Sequence, residues 1–100
     1  MKAQVVDLPV PPGAEPDMWT APGVRDVYKI IGHIPTSEDL LRCPAVTVVA
    51  EQRHDGSLGV INVEVEVDAR SSLSAVEARA LAALLNQGAD LAEQWEGADQ

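Results

Sequence analysis

Cysteine is nearly missing from this chain of 100 residues, since Cys43 is the only one. A disulfide within the chain is thereby excluded, and one free thiol suits a reducing compartment. The sequence also lacks any run of ~18 apolar residues, the length that a membrane helix needs. Its first residues carry one lysine, then Asp7 and several prolines, without the apolar stretch of a signal peptide. We therefore expect a cytoplasmic protein with no membrane contact.

Basic residues are few: seven lysines and arginines stand against 16 acids, which gives a formal net charge of −9. The bases are scattered along the chain, so no basic stripe for nucleic acid or an anionic membrane is visible. We expect no direct nucleic-acid binding. An acidic surface typically keeps a protein soluble, and its alternative use is to dock on a basic partner.

Phenylalanine is absent, and aromatic residues make up only 3% of the chain. Apolar residues still amount to 46%, which is typical of a folded protein rather than a disordered one. A chain of this length forms one domain with a thin core, which here must consist of valine, isoleucine, leucine and alanine.

The common signatures of catalysis and cofactor binding are also missing. The sequence has neither a glycine-rich phosphate loop nor a GxSxG nucleophile elbow. Four residues have the chemistry of metal ligands, but their spacing matches no zinc site: His33, Cys43, His54 and Asp55. Cys43 paired with a histidine would make a nucleophile, yet a lone cysteine before a proline favours a structural role. We predict no catalytic residue, no metal, no cofactor and no enzymatic activity.

Prolines concentrate near the start of the sequence, where five of the seven lie within residues 1–23. Proline fixes φ and lacks an N–H donor, so a long helix or a central strand is excluded there. We predict an extended, proline-rich arm over residues 1–23, in which residues 3–8 can pair as an edge strand. Trp19 lies in this arm, and we expect it to contact the body of the protein or else a partner.

Residues 24–34 are rich in β-branched and aromatic side chains, which predicts a strand. Their apolar residues also fit the spacing of a helix, but only loosely. A helical turn capped by Thr36 or Ser37 is expected before Pro44. Residues 45–67 then predict a β-hairpin with a two-residue type I′ turn at Asp55-Gly56. That turn sets a register in which apolar residues meet on one face: Val46 with Val65, Val48 with Val63, and Ala50 with Ile61.

The other face of this hairpin is mixed and polar. Glu64 and Glu66 alternate on it, about 7 Å apart by strand geometry. Two such carboxylates can serve as an acid and a base, but on a solvent face they more often solubilise and protect the edge of the sheet.

The strongest helix signal begins at Ser74, which forms a capping box with Glu77, and ends at Gly97. At 100° per residue, a core-facing stripe forms on one side: Leu81, Leu84, Leu85, Gly88, Leu91, Ala92 and Trp95. The outer side and its flanks carry polar residues: Arg79, Asn86, Asp90, Glu93 and Gln94. Gly88 within the stripe favours close approach of a strand or a second helix.

The stripe and the apolar hairpin face complement each other, because neither a hairpin nor one amphipathic helix is stable alone in water. We predict an α+β domain over residues 24–97: a small antiparallel sheet of three or four strands with one long C-terminal helix packed on one face. The arm precedes it, and residues 98–100 form a short acidic tail. The alternative is a stripe shared with a second copy of the chain.

The hairpin "VTVVAEQRHDGSLGVINVEVEVD" followed by "SLSAVEARALAALLNQGADLAEQW" resembles a loose group of small proteins from actinobacteria and their phages. In that group a short sheet precedes a helix with a Leu-Ser or Leu-Thr start and an ARxLAxxLxxxAD run. The resemblance covers about residues 46–95. It implies a small cytoplasmic, phage-type protein with no known activity, and it transfers no catalytic residue.

These observations predict a non-enzymatic protein–protein interaction module of unknown partner, with a homodimer as one form. Three apolar residues are candidate partner contacts: Trp19, Leu91 and Trp95. The alternative is an acidic inhibitor that mimics nucleic acid or blocks a basic protein. It rests on the net charge and on five acids: Glu64, Glu66, Asp90, Glu93 and Glu96.

Overall fold

The computed structural model describes residues 8–20, 23–37, 39–67 and 72–98. Within these residues, four strands form one antiparallel sheet whose strand order follows the sequence. The elements are β1 (Glu15–Pro16), β2 (Val24–His33), β3 (Ala45–Arg53), β4 (Leu58–Glu66) and the helix α1 (Ala75–Ala98). The predicted α+β class, with three or four strands and one long C-terminal helix, is confirmed. No helix in the described part of the chain combines the length and apolar character that crossing a membrane requires.

The segment predicted as a strand forms β2, which pairs with β3. The predicted helical turn after it is a 3-10 helix of three residues, Leu40–Arg42. Asp39 caps this turn, because its carboxylate accepts the backbone N–H of Leu41 at 3.0 Å. Ser37, one of the predicted caps, instead accepts the backbone N–H of Asp39 at 3.1 Å.

Strands β3 and β4 pair in the predicted register over most of their length. The observed partners are Val46 with Val65, Val48 with Val63, Ala50 with Ile61, Thr47 with Glu64 and Val49 with Asn62. The first three pairs lie on the face that α1 covers, and the last two lie on the opposite face. Alternation of side chains along the strands therefore sorts the hairpin as the sequence predicts.

The turn that joins these strands differs from the predicted type I′ turn. Gly56 has a φ of 89°, whereas Asp55 does not have the positive φ that type I′ requires of both central residues. The loop has three residues, closed by the Arg53 N–H, which donates to the Ser57 carbonyl oxygen at 2.9 Å. Gly56 takes the left-handed position of a G1 bulge, which glycine occupies without steric cost.

A second bulge restores the predicted register beyond this loop. The three-residue loop pairs Gln52 with Leu58, one position away from the pairing of a two-residue loop. Two residues of β4, Gly59 and Val60, then lie opposite the single residue Glu51 of β3. The extra residue in β4 offsets the extra residue in the loop. The predicted pairs from Val46 to Ala50 are therefore correct, although the predicted turn type is wrong.

Helix α1 begins as predicted. The Glu77 backbone N–H donates to Ser74 Oγ at 3.1 Å, and the Ser74 backbone N–H donates to the Glu77 carboxylate at 2.9 Å. The prediction that Gly97 ends the helix is wrong, since α1 runs to Ala98. Gly97 does not adopt the positive φ of a glycine that terminates a helix, and the last turn therefore continues through it.

The predicted stripe of α1 faces the sheet, and its members are buried or half-buried: Leu81, Leu84, Leu85, Gly88, Leu91, Ala92 and Trp95. The five residues predicted for the outer side and its flanks are exposed. A Cβ atom at Gly88 would lie 3.1 Å from Val63 Cγ1 and 3.3 Å from Val46 Cγ1. The helix thus approaches the hairpin closely at this glycine, as expected.

The core is aliphatic with one aromatic exception. Its buried cluster consists of Val27, Val48, Ala50, Leu58, Ala92 and Trp95. Val10 and Ala14 of the arm pack against this cluster, so residues of the arm belong to the folded unit. Residues 1–7, which include most of the predicted edge strand, and residues 99–100 of the acidic tail lie outside the described residues.

The Asp55 carboxylate accepts two hydrogen bonds within the hairpin loop. The Ser57 hydroxyl donates to its carboxylate at 2.6 Å and the Ser57 backbone N–H at 2.9 Å, and together they lower the pKa of Asp55 below its usual 3.8. A pKa lowered by folding stabilises the folded state above the usual value, and this contribution disappears as the pH falls through the lowered pKa.

We therefore expect Asp55→Asn to unfold at lower urea concentration than the wild type at neutral pH, and the difference to shrink steadily as the pH falls to about 2. Urea titrations followed by circular dichroism measure it. Ser57→Ala is the matched control, because it removes the hydroxyl that donates to Asp55 and keeps the backbone N–H donor. We expect it to retain only part of the pH dependence. A difference between Asp55→Asn and the wild type that is independent of pH would contradict the assignment.

Candidate functional site

A buried polar pair lies at one end of the helix-covered face of the sheet. Arg25 of β2 and Gln52 of β3 are direct partners in the ladder, next to the apolar pair of Val27 and Ala50. Arg25 is 8% exposed and Gln52 is 1% exposed. The Arg25 Nε–H donates to Gln52 Oε1 at 2.8 Å. A buried charge and a buried amide are tolerated only when they are hydrogen-bonded. This contact provides a partner for the Arg25 Nε–H and for the Gln52 side-chain oxygen.

Two further nitrogen atoms of this pair donate to the proline-rich arm. The Arg25 guanidinium donates through Nη2 to the Leu8 carbonyl oxygen at 2.9 Å, and Gln52 Nε2 donates to the Pro9 carbonyl oxygen at 2.9 Å. No buried side-chain nitrogen or oxygen among the described residues lacks a partner. The arm therefore completes the hydrogen bonding of a pair that the sheet buries.

Trp95 supplies a third donor to the arm. Its side chain is 0% exposed, and its indole Nε1–H donates to the Pro12 carbonyl oxygen at 2.7 Å. We use the term arm groove for the site that Arg25, Gln52 and Trp95 form. β2, β3 and α1 each contribute one of these side chains, and all three donate to main-chain oxygens of residues 8–12.

A cavity remains between the arm and the hairpin loop. Its volume is about 250 Å³, and its lining residues are Pro9, Val10, Pro11, Pro12, Gln52, Gly56 and Leu58. The arm therefore occupies the arm groove without filling the space beside it.

Trp19 contacts the body of the protein, which confirms one of its two predicted environments. The Arg25 guanidinium carbon lies 4.4 Å from the centroid of the Trp19 ring, a cation–π geometry. The His54 ring meets the same indole edge-on, with centroids 4.5 Å apart and an interplanar angle of 75°. Trp19 is half-buried in this position. It thus packs against the guanidinium of Arg25.

The other face of the sheet carries a second candidate surface. Tyr28 pairs with Val49 and Ile30 pairs with Thr47, and all four side chains point away from α1. They are half-buried except Ile30, which is 47% exposed, and Val60 beside them is 76% exposed. We call Tyr28, Ile30, Thr47 and Val49 the open face.

Carboxylates surround the open face. Glu15 pairs with Tyr28, Asp26 with Glu51, and Glu64 with Thr47, so these acids share its side of the sheet. All four acids are exposed. Arg53 lies on the same side of β3, but its Nη1 donates to Ser57 Oγ and to the Leu58 carbonyl oxygen within the hairpin end. The surface is an apolar centre with an acidic rim.

The three predicted partner contacts have different positions. Trp95 lies inside the chain under the arm, and Leu91 is half-buried and packs against the core cluster. Trp19 is also half-buried and lies beside His54. The structure therefore does not bring them together on one surface, and their contact with a partner stays a prediction.

The predicted chemical groups are dispersed in the same way. Cys43 and His54 flank opposite ends of β3, a strand of nine residues, or about 30 Å. The buried thiol of Cys43 donates to the carbonyl oxygens of Ser37 at 3.3 Å and Asp39 at 3.6 Å. Among the described residues, no three histidine, cysteine, aspartate or glutamate side chains form a group that could hold a metal ion.

Sequence reasoning missed Arg25 and Gln52, although a signal was present. Gln52 continues the alternation of Val46, Val48 and Ala50 and must therefore face the core side of β3. A polar residue at such a position requires a buried partner. The cross-strand pairing that places Arg25 opposite it was not assigned from the sequence.

Comparisons of the chain with protein-family models, curated proteins and solved structures gave no match.

Proposed function

We propose that this protein is a non-enzymatic, cytoplasmic protein-binding module whose open face docks on a basic partner protein. The observation that supports the proposal is an apolar centre of the sheet that no described element covers, with exposed carboxylates around it. Protein interfaces commonly combine an apolar centre with a polar rim, and aromatic residues such as Tyr28 are enriched in them. The single free Cys43 supports the cytoplasmic part of the proposal.

The charge of the rim favours a basic partner over a second copy of the chain. Glu15, Asp26, Glu51 and Glu64 carry one sign of charge. Arg53 lies on the same side of the sheet, but it is engaged in the hairpin end. Two copies joined by this face would bring two acidic rims together, with a formal charge of −9 on each chain. A partner rich in lysine and arginine around an apolar centre is electrostatically complementary and would also associate faster.

The nucleic-acid mimic receives less support than a protein partner. Its five acids lie on two sides of the molecule, with Glu64 and Glu66 on the sheet, and Asp90, Glu93 and Glu96 on the exposed side of α1. A phosphate-like charge row would need them on one surface. We retain from that alternative only the basic character of the partner.

The test uses two variants of equal charge in the full chain. Ile30→Glu/Val49→Glu places two carboxylates within the open face. Leu41→Glu/Val76→Glu places two at exposed positions elsewhere, since Leu41 is 95% exposed and Val76 is 78% exposed. Circular dichroism checks that both variants fold. Each variant and the wild type are then used as bait in a lysate of the source organism, and the captured protein is purified for titration.

We expect the captured protein to be basic, to bind the wild type and Leu41→Glu/Val76→Glu equally, and to bind Ile30→Glu/Val49→Glu at least about tenfold more weakly. We also expect its affinity to fall several-fold between about 50 mM and about 500 mM salt, because ions screen the rim charges. Equal binding to all three baits would overturn the proposal. So would an affinity that does not change with salt concentration, or a wild-type dimer in light scattering that Ile30→Glu/Val49→Glu dissociates.

A further inference from the structure

The arm groove recognises its occupant through the main chain. Its three donors end on the carbonyl oxygens of Leu8, Pro9 and Pro12, and none ends on an arm side chain. A proline-rich segment presents carbonyl acceptors and few N–H donors, because proline has no N–H. In the polyproline II conformation such carbonyls make no internal hydrogen bonds. In the resident arm the Pro11 carbonyl oxygen accepts the Ala14 N–H at 3.0 Å, which closes a turn over Pro12 and Gly13. The chemistry of the groove and that of proline-rich chains are therefore complementary.

The groove is held in place by the body of the protein. Gln52 and Arg25 orient each other through the 2.8 Å hydrogen bond. Trp95 is fixed within the core cluster. The donors thus come from the sheet and the helix.

The resident arm leaves space beside the arm groove. Pro9 and Pro12 are exposed on their outer sides, and the cavity of about 250 Å³ separates the arm from Gly56 and Leu58 of the hairpin. The arm joins the sheet through β1, which has only two residues. Besides this strand, the three hydrogen bonds of the arm groove and the packing of Val10 and Ala14 against the core cluster attach the arm.

We propose that the arm groove is a binding site for proline-rich peptide segments in the polyproline II conformation, with residues 8–12 as its resident ligand. A proline-rich segment of another protein displaces the arm and takes over the hydrogen bonds of Arg25, Gln52 and Trp95. Aromatic-lined grooves of other proteins bind proline-rich segments whose extended conformation is preformed. The site is distinct from the open face and does not depend on it.

The arm competes with any external peptide, because a tethered segment has an effective concentration of the order of millimolar. The test therefore weakens the arm in the full chain. Pro11→Gly/Pro12→Gly keeps both carbonyls but raises the conformational entropy that the arm loses on docking. The probe is a fluorescein-labelled synthetic peptide of residues 8–16, LPVPPGAEP, and fluorescence polarisation measures its binding.

We expect the probe to bind Pro11→Gly/Pro12→Gly about tenfold more tightly than the wild type. Adding Trp95→Phe to that variant retains an aromatic ring and removes the donor, which should weaken the probe about 3- to 10-fold. The control probe, LAVAAGAEP, has the same length and charge with alanine at the first three prolines. We expect it to bind at least about tenfold more weakly than LPVPPGAEP.

Three results would overturn the proposal. The first is no saturable binding of the probe to Pro11→Gly/Pro12→Gly while that variant still unfolds cooperatively. The second is a failure of either control: LAVAAGAEP binds Pro11→Gly/Pro12→Gly as tightly as LPVPPGAEP does, or adding Trp95→Phe leaves the affinity for LPVPPGAEP unchanged. The third is a wild-type dimer in light scattering that Pro11→Gly/Pro12→Gly dissociates, which would assign the groove to the arm of a second copy.

A measurement on the wild type covers the case in which Pro11→Gly/Pro12→Gly does not fold. Isotope-labelled protein is titrated with unlabelled LPVPPGAEP. The highest peptide concentration is about 10 mM, which is several times the effective concentration of the arm. We expect the amide resonances of Gly13 and Ala14 to move toward the positions of a free arm. Unchanged resonances at the highest concentration would show a fixed structural segment and contradict the proposal.

Discussion

Trp95→Ala should lower the free energy of unfolding by about 4 kcal/mol, the largest effect that we expect from a single substitution. Trp95 is fully buried, belongs to the core cluster, and donates to Pro12 across 83 positions of the chain. Alanine leaves a cavity where the only buried aromatic of the described core stands. It also removes the hydrogen bond that holds the arm. A domain of this size is commonly stable by 5–15 kcal/mol, so the loss is a large share of the total.

Urea titration followed by circular dichroism measures this prediction, with two reference variants. Trp95→Phe keeps most of the ring and removes the N–H, and we expect it to cost clearly less than alanine. Leu41→Ala changes a side chain that is 95% exposed, and we expect a loss within about 0.5 kcal/mol. A loss below about 1 kcal/mol for Trp95→Ala would be incompatible with a tryptophan in the core.

Gln52→Leu should lower the free energy of unfolding by about 3 kcal/mol, although leucine is similar in size and more apolar. The substitution leaves the Arg25 Nε–H without its acceptor and the Pro9 carbonyl oxygen without its donor. Arg25 is only 8% exposed, and a buried charge that loses a partner is costly to solvate. The cost therefore arises from the groups that remain, rather than from the glutamine itself.

A double-mutant cycle separates these contributions. Arg25→Met alone removes the charge and its hydrogen bonds, and Arg25→Met/Gln52→Leu replaces both members of the pair with apolar side chains. We expect the double variant to lose at least about 1 kcal/mol less than the sum of the two single losses, because the second substitution removes the group that the first left unpaired. Additive losses would show that the two side chains contribute independently to stability.

Local features of this chain were accessible from its sequence. The capping box links Ser74 to Glu77 over three positions, and the stripe of α1 follows from helical geometry alone. The pairs of β3 and β4 follow from alternation, because a shift by one residue would turn Val46 and Val48 away from the helix. These features depend on residues that are near in sequence or in register.

The hairpin loop shows the limit of that reasoning. Asp55-Gly56 indicates a turn, but the pair occurs in both two-residue and three-residue loops, which differ in the φ of Asp55. The bulge at Gly59 and Val60 then offset the difference, and no sequence rule placed it. The predicted register was correct in the part of the hairpin that α1 covers, where burial of an apolar face selects it.

The sequence by itself determined the α+β class, the capped amphipathic helix, the hairpin register and the acidic, largely aliphatic character of the protein. Only the tertiary structure decided that Arg25, Gln52 and Trp95 hold the proline-rich arm, and that Tyr28 and Ile30 remain on an uncovered face. The physical reason is range. Periodicity and capping arise within a few residues, whereas a buried donor binds whichever distant carbonyl the packed chain brings to it, and no local pattern encodes that choice.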